Sequence, residues 1–410
     1  MKSNALILIG LSSMVMCAYA EEDDSRSSWD GAIYAYTTAT ELRTDSLLNP
    51  NNQIAHLSQL SHITEARFNF KAESDTLRLT LRPIMLWQQN RNAFGEQINS
   101  ETYLSQGQLR WRLTEAWHVA AGREVMHWGV GQFRSPSNPF YFDNGRSNPI
   151  RELSGLDAVK VNWTPDIRHA ISLAYIGSTG HYEGSTDTWR DTWLIRATRR
   201  TMKWAGGVAL AKKEGQKSFV GMDAQYTHSD DLLLYGEAGS STRINALTSP
   251  ADTNQPFNVE AESTRHLTEL IGASYTLANG QTISAEYLHQ RHGFTADEEA
   301  AYFDRAANAT LPAGAPTLGM ALANAPALLG RHYLHFVWQN NLMESERYWR
   351  LMWTRNLTDH GNQLSAYGEL TLSKQVSGFA LLVIPLGGER QEFSSLINSM
   401  ATMGIRVVLP

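Results

Sequence analysis

The stretch Leu77-Arg78-Leu79-Thr80-Leu81-Arg82 alternates apolar and polar residues without a break. In a β-strand, successive side chains point to opposite faces, so one face of this segment is leucine and the other is largely arginine. The same pattern recurs in Leu109-Arg110-Trp111-Arg112-Leu113 and in Trp349-Arg350-Leu351-Met352-Trp353. The chain therefore contains many strands with one apolar and one charged face.

Composition limits the classes of protein that fit. The 410 residues are 42% hydrophobic and 19% charged, with a net charge of −6 and a mean hydropathy of −0.34. No basic excess favours a nucleic-acid partner, and the only long apolar run lies at the N-terminus, which argues against a bundle of membrane helices. Abundant apolar residues argue against a disordered chain.

The N-terminus resembles a secretory signal. Lys2 supplies the positive charge, residues 5–17 are apolar, and Ala18-Tyr19-Ala20 is a small-x-small cleavage site. We expect residues 1–20 to be a signal peptide and residues 21–410 to be one domain. Cleavage would remove Cys17, the one cysteine, so disulfides are not expected. A retained membrane anchor is the alternative, and a lipoprotein is a weaker one because Met16 precedes the cysteine.

Alternating segments fill the chain, and their number is about 18 (16–18), which is within the range of bacterial membrane barrels. Arginine and lysine in mid-strand suit a water-filled interior. Short turns are expected near 74, 114, 165, 200, 229, 279–280, 343–346 and 374, with longer connections at 43–60, 89–101, 126–156, 178–187, 241–264, 291–330 and 385–398. Such asymmetry is typical of an antiparallel up-and-down transmembrane β-barrel with short periplasmic turns and long extracellular loops. A soluble all-β exported domain is the alternative.

Tryptophans fit aromatic girdles at the two membrane interfaces. The candidates lie near strand ends or on apolar faces: Trp29, Trp87, Trp111, Trp117, Trp163, Trp193, Trp204, Trp349 and Trp353. Residues 403–410 alternate as a closing strand would.

Strand parity assigns the charged residues to the interior. The predicted basic pore-lining residues are Arg67, Lys71, Arg78, Arg82, Arg110, Arg112, Lys160, Arg168, Arg196, Arg350 and Arg406. The predicted acidic ones are Glu65, Glu124, Asp223, Glu237, Glu286 and Glu369. The basic set concentrates in the first half of the barrel and the acidic set in the second, so a basic wall would face a more acidic one. A net excess of lumen cations would favour anions; pairing of these charges across strands is the alternative.

The connection at 126–156 is rich in glycine, proline and aromatic residues, which give a chain a fixed irregular path. We interpret it as a loop that folds inward and narrows the pore, with a structured surface loop as the alternative. Its candidate constriction residues are His127, Trp128, Arg134, Asn138, Phe140, Arg146 and Arg151.

A resemblance follows from this region. Three segments of this region resemble a pattern in bacterial outer-membrane porin-like families, including alginate-export-like barrels. They are the run Gly-Arg-(x)4-Trp-Gly-x-Gly over residues 122–131, Asn138-Pro139, and Gly155-Leu156-Asp157-Ala158-Val159. It covers about 40 residues directly, beyond the overall strand pattern. The resemblance implies an outer-membrane channel of a Gram-negative bacterium and names no substrate.

The connection at 291–330 is different. Thr295 followed by Asp297, Glu298 and Glu299 is a helix start, and the alanine-rich residues 317–328 could form a second helix. The sequence leaves open whether this segment caps the pore or plugs it.

Catalytic and metal-binding signatures are not found. There is no Gly-x-Ser-x-Gly, His-Glu-x-x-His or phosphate loop. His332 and His335 are three apart, which on a strand puts them on opposite faces, so we expect no metal site there. We therefore expect neither an enzyme nor a cofactor.

The expected function is diffusion of small polar solutes across the bacterial outer membrane, with anion preference. The alternatives are export of an acidic polysaccharide or other polymer and, less favoured, a barrel enzyme. The expected partners are outer-membrane lipid and lipopolysaccharide, the barrel-assembly machinery, and small anionic or polar solutes. A homo-oligomer is compatible with this architecture, and no nucleic acid is expected.

Overall fold

The computed structural model describes residues 26–181, 189–213, 218–242, 246–260, 265–341 and 346–409. The signal peptide expected at residues 1–20 lies outside this part of the chain. Eighteen antiparallel strands form one sheet that closes on itself. These barrel strands are β1 (Arg26–Leu42), β2 (Leu60–Glu73), β3 (Leu77–Asn92), β4 (Gly95–Arg112), β5 (Trp117–Glu124), β6 (Leu156–Asp166), β7 (His169–Ser178), β8 (Thr192–Arg200), β9 (Trp204–Lys213), β10 (Ser218–Thr227), β11 (Leu232–Thr242), β14 (Arg265–Thr276), β15 (Thr282–Gln290), β16 (His332–Gln339), β17 (Arg347–Asn356), β18 (Asn362–Thr371), β19 (Val376–Leu386) and β20 (Ile397–Leu409).

Each barrel strand pairs with the next barrel strand along the chain, and β1 also pairs with β20, with Tyr34 opposite Arg406. No strand edge is left over in this sheet, which is what a spanning sheet needs in hydrocarbon. The expected barrel of about 18 strands is confirmed, as is the role of residues 403–409 in its closing strand.

The two faces follow the parity expected from sequence. Arg78 lies opposite Arg110 and Leu79 opposite Leu109, so each pair shares a face. Leu109 and Trp111 are half exposed on the outside. Seven of the nine girdle tryptophans are also 38–58% exposed: Trp29, Trp87, Trp111, Trp117, Trp163, Trp193 and Trp204. So much exposed apolar surface is stable only where lipid, not water, covers it.

Connections alternate in length around the barrel. Short turns join strands at 74–76, 113–116, 167–168, 201–203, 228–231, 277–281 and 372–375. Long connections on the other rim include 43–59, 125–155 and 291–331. The expectation of a long connection at 89–101 is wrong. β3 continues to Asn92 and β4 begins at Gly95, so a tight hairpin joins the two strands. Their polar ends obscure the strand pattern, since both faces are polar where a strand projects beyond the membrane.

The long loops on one rim pack together. The helices α1 (Ala296–Asn308) and α2 (Ala315–Asn324) lie in the connection between β15 and β16, and a two-stranded hairpin, β12 (Ala246–Thr248) with β13 (Asn258–Glu260), lies between β11 and β14. As expected, Thr295 caps α1: its side chain accepts from the Glu298 N–H, and Glu298 accepts from the Thr295 N–H. No helix among the described residues is long and apolar enough to cross a membrane.

One apolar cluster joins these loops. Leu48 comes from the β1–β2 loop, Leu247 and Phe257 from the β12–β13 hairpin, and Tyr302 and Leu318 from the helices, and all are buried together. The β1–β2 and β11–β14 loops leave the barrel from nearly opposite sides of the ring. Their contact therefore spans the mouth, and we call this assembly of residues 43–59, 246–260, 291–331 and 387–396 the cap.

Candidate functional site

The connection at 125–155, between β5 and β6, crosses the interior of the barrel. At one side, Arg67 on β2 donates to the Ile150 carbonyl at 2.9 Å. At the other, Glu237 on β11 accepts from the backbone of Val130 and Gly131. Strands β2 and β11 are nine places apart in the ring of eighteen, so a segment touching both must pass through the lumen. We call residues 125–155 the constriction loop.

Glu237 anchors this loop through a buried carboxylate. Its Oε1 accepts from the N–H groups of Val130 (2.6 Å) and Gly131 (2.8 Å), and its Oε2 accepts from the hydroxyls of Ser135 (2.8 Å) and Ser137 (2.6 Å). Hydrogen bonds to an ionised acceptor are stronger than neutral ones. Glu237 is 4% exposed, so it holds the loop and does not face open pore.

Glu286 on β15 acts in the same way. It accepts from the N–H groups of Gln132 (2.6 Å) and Phe133 (2.8 Å) and from the Tyr235 hydroxyl (2.6 Å). Its side chain is also buried. The parity prediction placed Glu237 and Glu286 on the inner face, but they do not form an open acidic wall. The turn at 129–133 presents consecutive N–H groups to these two carboxylates, so they are hydrogen-bonded to the loop and do not face the open lumen.

Glycines let the loop approach the wall. Gly221 on β10 lies directly opposite Gly239 on β11. A Cβ on Gly221 would overlap the Ser137 carbonyl oxygen, and one on Gly239 would overlap that of Pro136. Sequence reasoning missed these two residues; the signal was a glycine at an inward position on each of two neighbouring strands.

The loop also has its own internal support. Asn138 is buried, and its Nδ2 donates to the Met126 carbonyl while its Oδ1 accepts from the Phe140 and Tyr141 N–H groups. Phe140 and Tyr141 belong to an apolar cluster on the inner wall. Trp128 lies under the guanidinium of Arg196, 4.6 Å from ring centre to carbon. Asn138, Phe140 and Trp128 are therefore supports of the loop.

The remaining predicted loop residues lie in different surroundings. Arg134 donates to the Phe133 carbonyl and covers its ring, and Arg151 pairs with Asp143 at 2.9 Å. His127 is half buried, and its Nε2 has no hydrogen-bond partner in the described part of the chain. Arg146 donates to the carbonyls of Val130 (2.7 Å) and Gly131 (2.7 Å), so a loop arginine is held by neutral acceptors.

An open space remains between the constriction loop and the opposite wall. This cavity of about 300 Å³ is lined by Tyr34, Arg146, Pro149, Ile150, Tyr348, Arg350, Tyr367, Glu369, Phe379 and Arg406. Arg406 pairs with Glu369 at 2.7 Å. Arg350 donates to the Gln132 side chain at 3.2 Å. Among the described residues, neither Arg146 nor Arg350 has an ion-pair partner, so the cavity carries a local positive excess.

Many other predicted lumen cations are paired with nearby acids. Arg67 pairs with Glu65 and Glu152, and Arg82 lies 3.9 Å from Glu152. The other pairs are Arg78 with Glu73, Lys160 with Glu124, and Arg196 with Asp223. Glu124 also accepts from Gln108. The expected separation into a basic and an acidic wall is thus wrong on the basic side, because acids of the same strand, of nearby strands and of the constriction loop lie within the basic arc.

Lys71, Arg110 and Arg112 have no ion-pair partner among the residues that the structure describes. They lie on the inner-face parity, toward the short-turn rim. They extend the positive excess from the cavity toward that rim.

The histidines of β16 lie on opposite faces, as expected. His332 shares a hydrogen bond of 2.6 Å with the Tyr287 hydroxyl, whereas His335 stacks on Phe133 of the constriction loop. No cluster of His, Cys, Asp and Glu in the described residues is arranged to hold a metal ion.

Comparison of the sequence with family models found no match, and a search of curated proteins found none either. The fold does match solved structures. OccK11 (OpdR) of Pseudomonas aeruginosa aligns with a TM-score of 0.57 at 11% identity, covering 94% of this chain and 96% of that one. OccAB1 of Acinetobacter baumannii gives 0.57 at 9% identity, covering 94% and 96%, and OprD of P. aeruginosa gives 0.52 at 10%, covering 93% and 94%. The chain therefore has the 18-stranded barrel fold of these outer-membrane proteins over almost its whole length.

Proposed function

We propose that this protein is an outer-membrane channel through which small polar solutes diffuse, with a preference for anions. The observation that carries the proposal is the cavity beside the constriction loop, where Arg146, Arg350 and Arg406 face one carboxylate, Glu369. The barrel's apolar exterior suits lipid, and a barrel of eighteen strands encloses more space than its side chains fill. The solved structures with the same fold support a channel.

Anion preference follows from the balance of charge in the narrow region. Arg146 and Arg350 bind neutral oxygens, so their charges act on the lumen. A charge in a narrow, low-dielectric passage attracts counter-ions more strongly than one on an open surface. The residues proposed to line the path are Arg146, Arg350 and Arg406, followed by Lys71, Arg110 and Arg112, while ion-paired Arg67, Arg78, Lys160 and Arg196 contribute less.

The cellular setting is part of the proposal. A barrel exported with a cleaved signal peptide would reach the outer membrane of a Gram-negative bacterium through the barrel-assembly machinery. Its outer face would then contact phospholipid on one side and lipopolysaccharide on the other. Self-association into a homo-oligomer is compatible with this arrangement. The finer likeness to alginate-export-like barrels remains a prediction, which uptake of uronate oligomers into proteoliposomes would test.

The experiment is planar-bilayer recording of the purified protein in a salt gradient. We expect a reversal potential of the sign given by anion-selective current, and a smaller value for the variant Arg146→Gln/Arg350→Gln. The matched control is Arg199→Gln, which removes one positive charge from the outer face, where Arg199 shares the parity of Trp193. Absence of conductance in a folded barrel would refute the channel. A reversal potential that the double variant leaves unchanged would refute the assignment of selectivity to this cavity.

A further inference from the structure

A carboxyl cluster around the buried Glu299 joins two segments of the cap to the β17–β18 loop. Glu299 is on α1, Asp359 is on the β17–β18 loop, and Glu392 is on the β19–β20 loop. Glu299 is 2% exposed, and neither of its carboxylate oxygens has a hydrogen-bond donor among the described residues. It lines a cavity of about 520 Å³ together with Asp359. Burial without a donor disfavours the ionised form of a carboxyl group.

The groups around Glu299 supply no compensating cation. Asp359 faces it from the β17–β18 loop, and Glu392 lies nearby. Glu389 and Arg390 line the same cavity, but Arg390 pairs with Asp304 at 2.5 Å. The other titratable neighbours are Tyr302 on the same helix, Tyr333 on β16 and, beside Glu392, Arg134 of the constriction loop, whose charge lowers the Glu392 pKa. Two facing carboxylates, Glu299 and Asp359, can hydrogen-bond only if one of them keeps a proton.

Glu392 connects this cluster to the rest of the cap and to the pore. It accepts from the N–H of Leu329 (3.0 Å), the hydroxyl of Tyr333 (2.5 Å) and the amide of Asn356 (3.0 Å). The Tyr333 ring packs against Phe133 of the constriction loop, with 5.9 Å between ring centres. The cluster thus lies where the cap meets the constriction loop.

We propose that Glu299, Asp359 and Glu392 form a proton-controlled latch that holds the cap closed at acid pH and releases it as the pH rises. With one carboxyl protonated, α1 is hydrogen-bonded to the β17–β18 loop. With all three ionised, the negative charges repel across the interface between three loops. This device goes beyond conduction itself, and it does not depend on which solute the barrel carries.

The sign follows from proton binding. Burial, followed by the charges of Asp359 and Glu392, raises the pKa of Glu299 to about 10. Burial raises the pKa of Glu392 to about 7. In an opened cap both groups would return to the ordinary value of 4.5. The closed cap therefore holds more protons than the open one above pH 4.5, so closure is most stable below that pH and weakens as the pH rises.

Hydrogen exchange of the full-length protein in lipid nanodiscs tests the latch without any transport measurement. Protection factors of α1 amides, corrected for the intrinsic rate, are measured at pH 6, 7 and 8. Each retained proton makes opening up to about tenfold more favourable per pH unit. We therefore expect the protection factors of α1 amides to fall by up to about tenfold per pH unit. The protection factors of amides in the barrel strand β18 should stay unchanged.

The variant Glu299→Gln keeps the shape and supplies a permanent donor to Asp359, so it should reduce the pH dependence of α1 protection to the contribution of Glu392. The matched control is Asp297→Asn, an exposed acid on the same helix, which should behave as the wild type. If Glu299→Gln does not fold, Asp359→Asn should also reduce the slope, because its amide can donate to Glu299 and so favours the ionised carboxylate. Wild-type protection that does not change with pH, or equal slopes in the carboxyl variant and the control, would overturn the proposal.

Discussion

Replacing Glu237 by alanine should partly free the constriction loop. The change leaves the N–H groups of Val130 and Gly131 without an acceptor, whereas the buried Ser135 hydroxyl can still donate to the Trp128 carbonyl. An unsatisfied buried N–H costs about 1–3 kcal/mol, so docking of residues 129–137 should weaken by about 2–6 kcal/mol. Even the lower value reduces the ratio of docked to undocked loop by roughly thirtyfold.

Single-channel recording and hydrogen exchange measure this effect independently. We expect Glu237→Ala to show larger current fluctuations and a higher mean conductance, with faster exchange at Val130 and Gly131. Glu286 and the apolar cluster around Phe140 should keep the rest of the loop in place. The control is Glu269→Ala. Glu269, on β14, lies opposite Ala238 of β11 and faces outward. Unchanged conductance and exchange in a folded Glu237→Ala barrel would show that the carboxylate does not position the loop.

Three further outcomes are expected. Gly239→Ala should push the loop backbone from the wall, because the new Cβ meets the Pro136 carbonyl. The displaced loop moves toward the cavity on the opposite side, so the conductance should fall, and an unchanged conductance would refute close wall contact. Replacing Met126–Gly155 by a short glycine-serine linker should raise single-channel conductance in a barrel that remains heat-modifiable on gels, and equal conductance would place the loop outside the ion path. Replacing Arg78, Arg82, Arg110 and Arg112 together by glutamine should move the reversal potential toward cations, more so at low salt where screening is weaker; because Arg78 is already paired with Glu73, Arg110 and Arg112 should account for most of the shift, and no shift would remove them from the ion path.

The pairing of lumen charges has a consequence for selectivity. Paired residues such as Lys160 and Glu124, 2.5 Å apart, form local dipoles whose fields fall off quickly. In the proposed channel, selectivity should then depend on the few cations that have no ion-pair partner among the described residues, above all Arg146 and Arg350. The residues that look most basic in the sequence need not dominate the field.

Local pattern in the sequence was enough to determine the barrel. Alternation in segments such as 77–82 and 109–113 has one low-energy reading in lipid, since the reverse placement of an arginine costs roughly 2–4 kcal/mol near the midplane. The helix start at Thr295 was also predictable, because a capping box involves only residues 295 and 298. In both cases the deciding pattern spans only a few consecutive residues.

Only the tertiary structure decided what the inward residues do. Parity puts Glu237 and Glu286 inside, but their constriction-loop partners lie 100 or more residues away in the chain. Other contacts also join distant segments. They are the close approach of the loop to Gly221 and Gly239, the pairing of Glu152 with Arg67, and the contact of Glu299 with Asp359. Alternation specifies a face, and it carries no information about what occupies the space that the face encloses. That depends on how long loops pack after the barrel has closed, which is why the sequence determined the wall and the fold determined the passage.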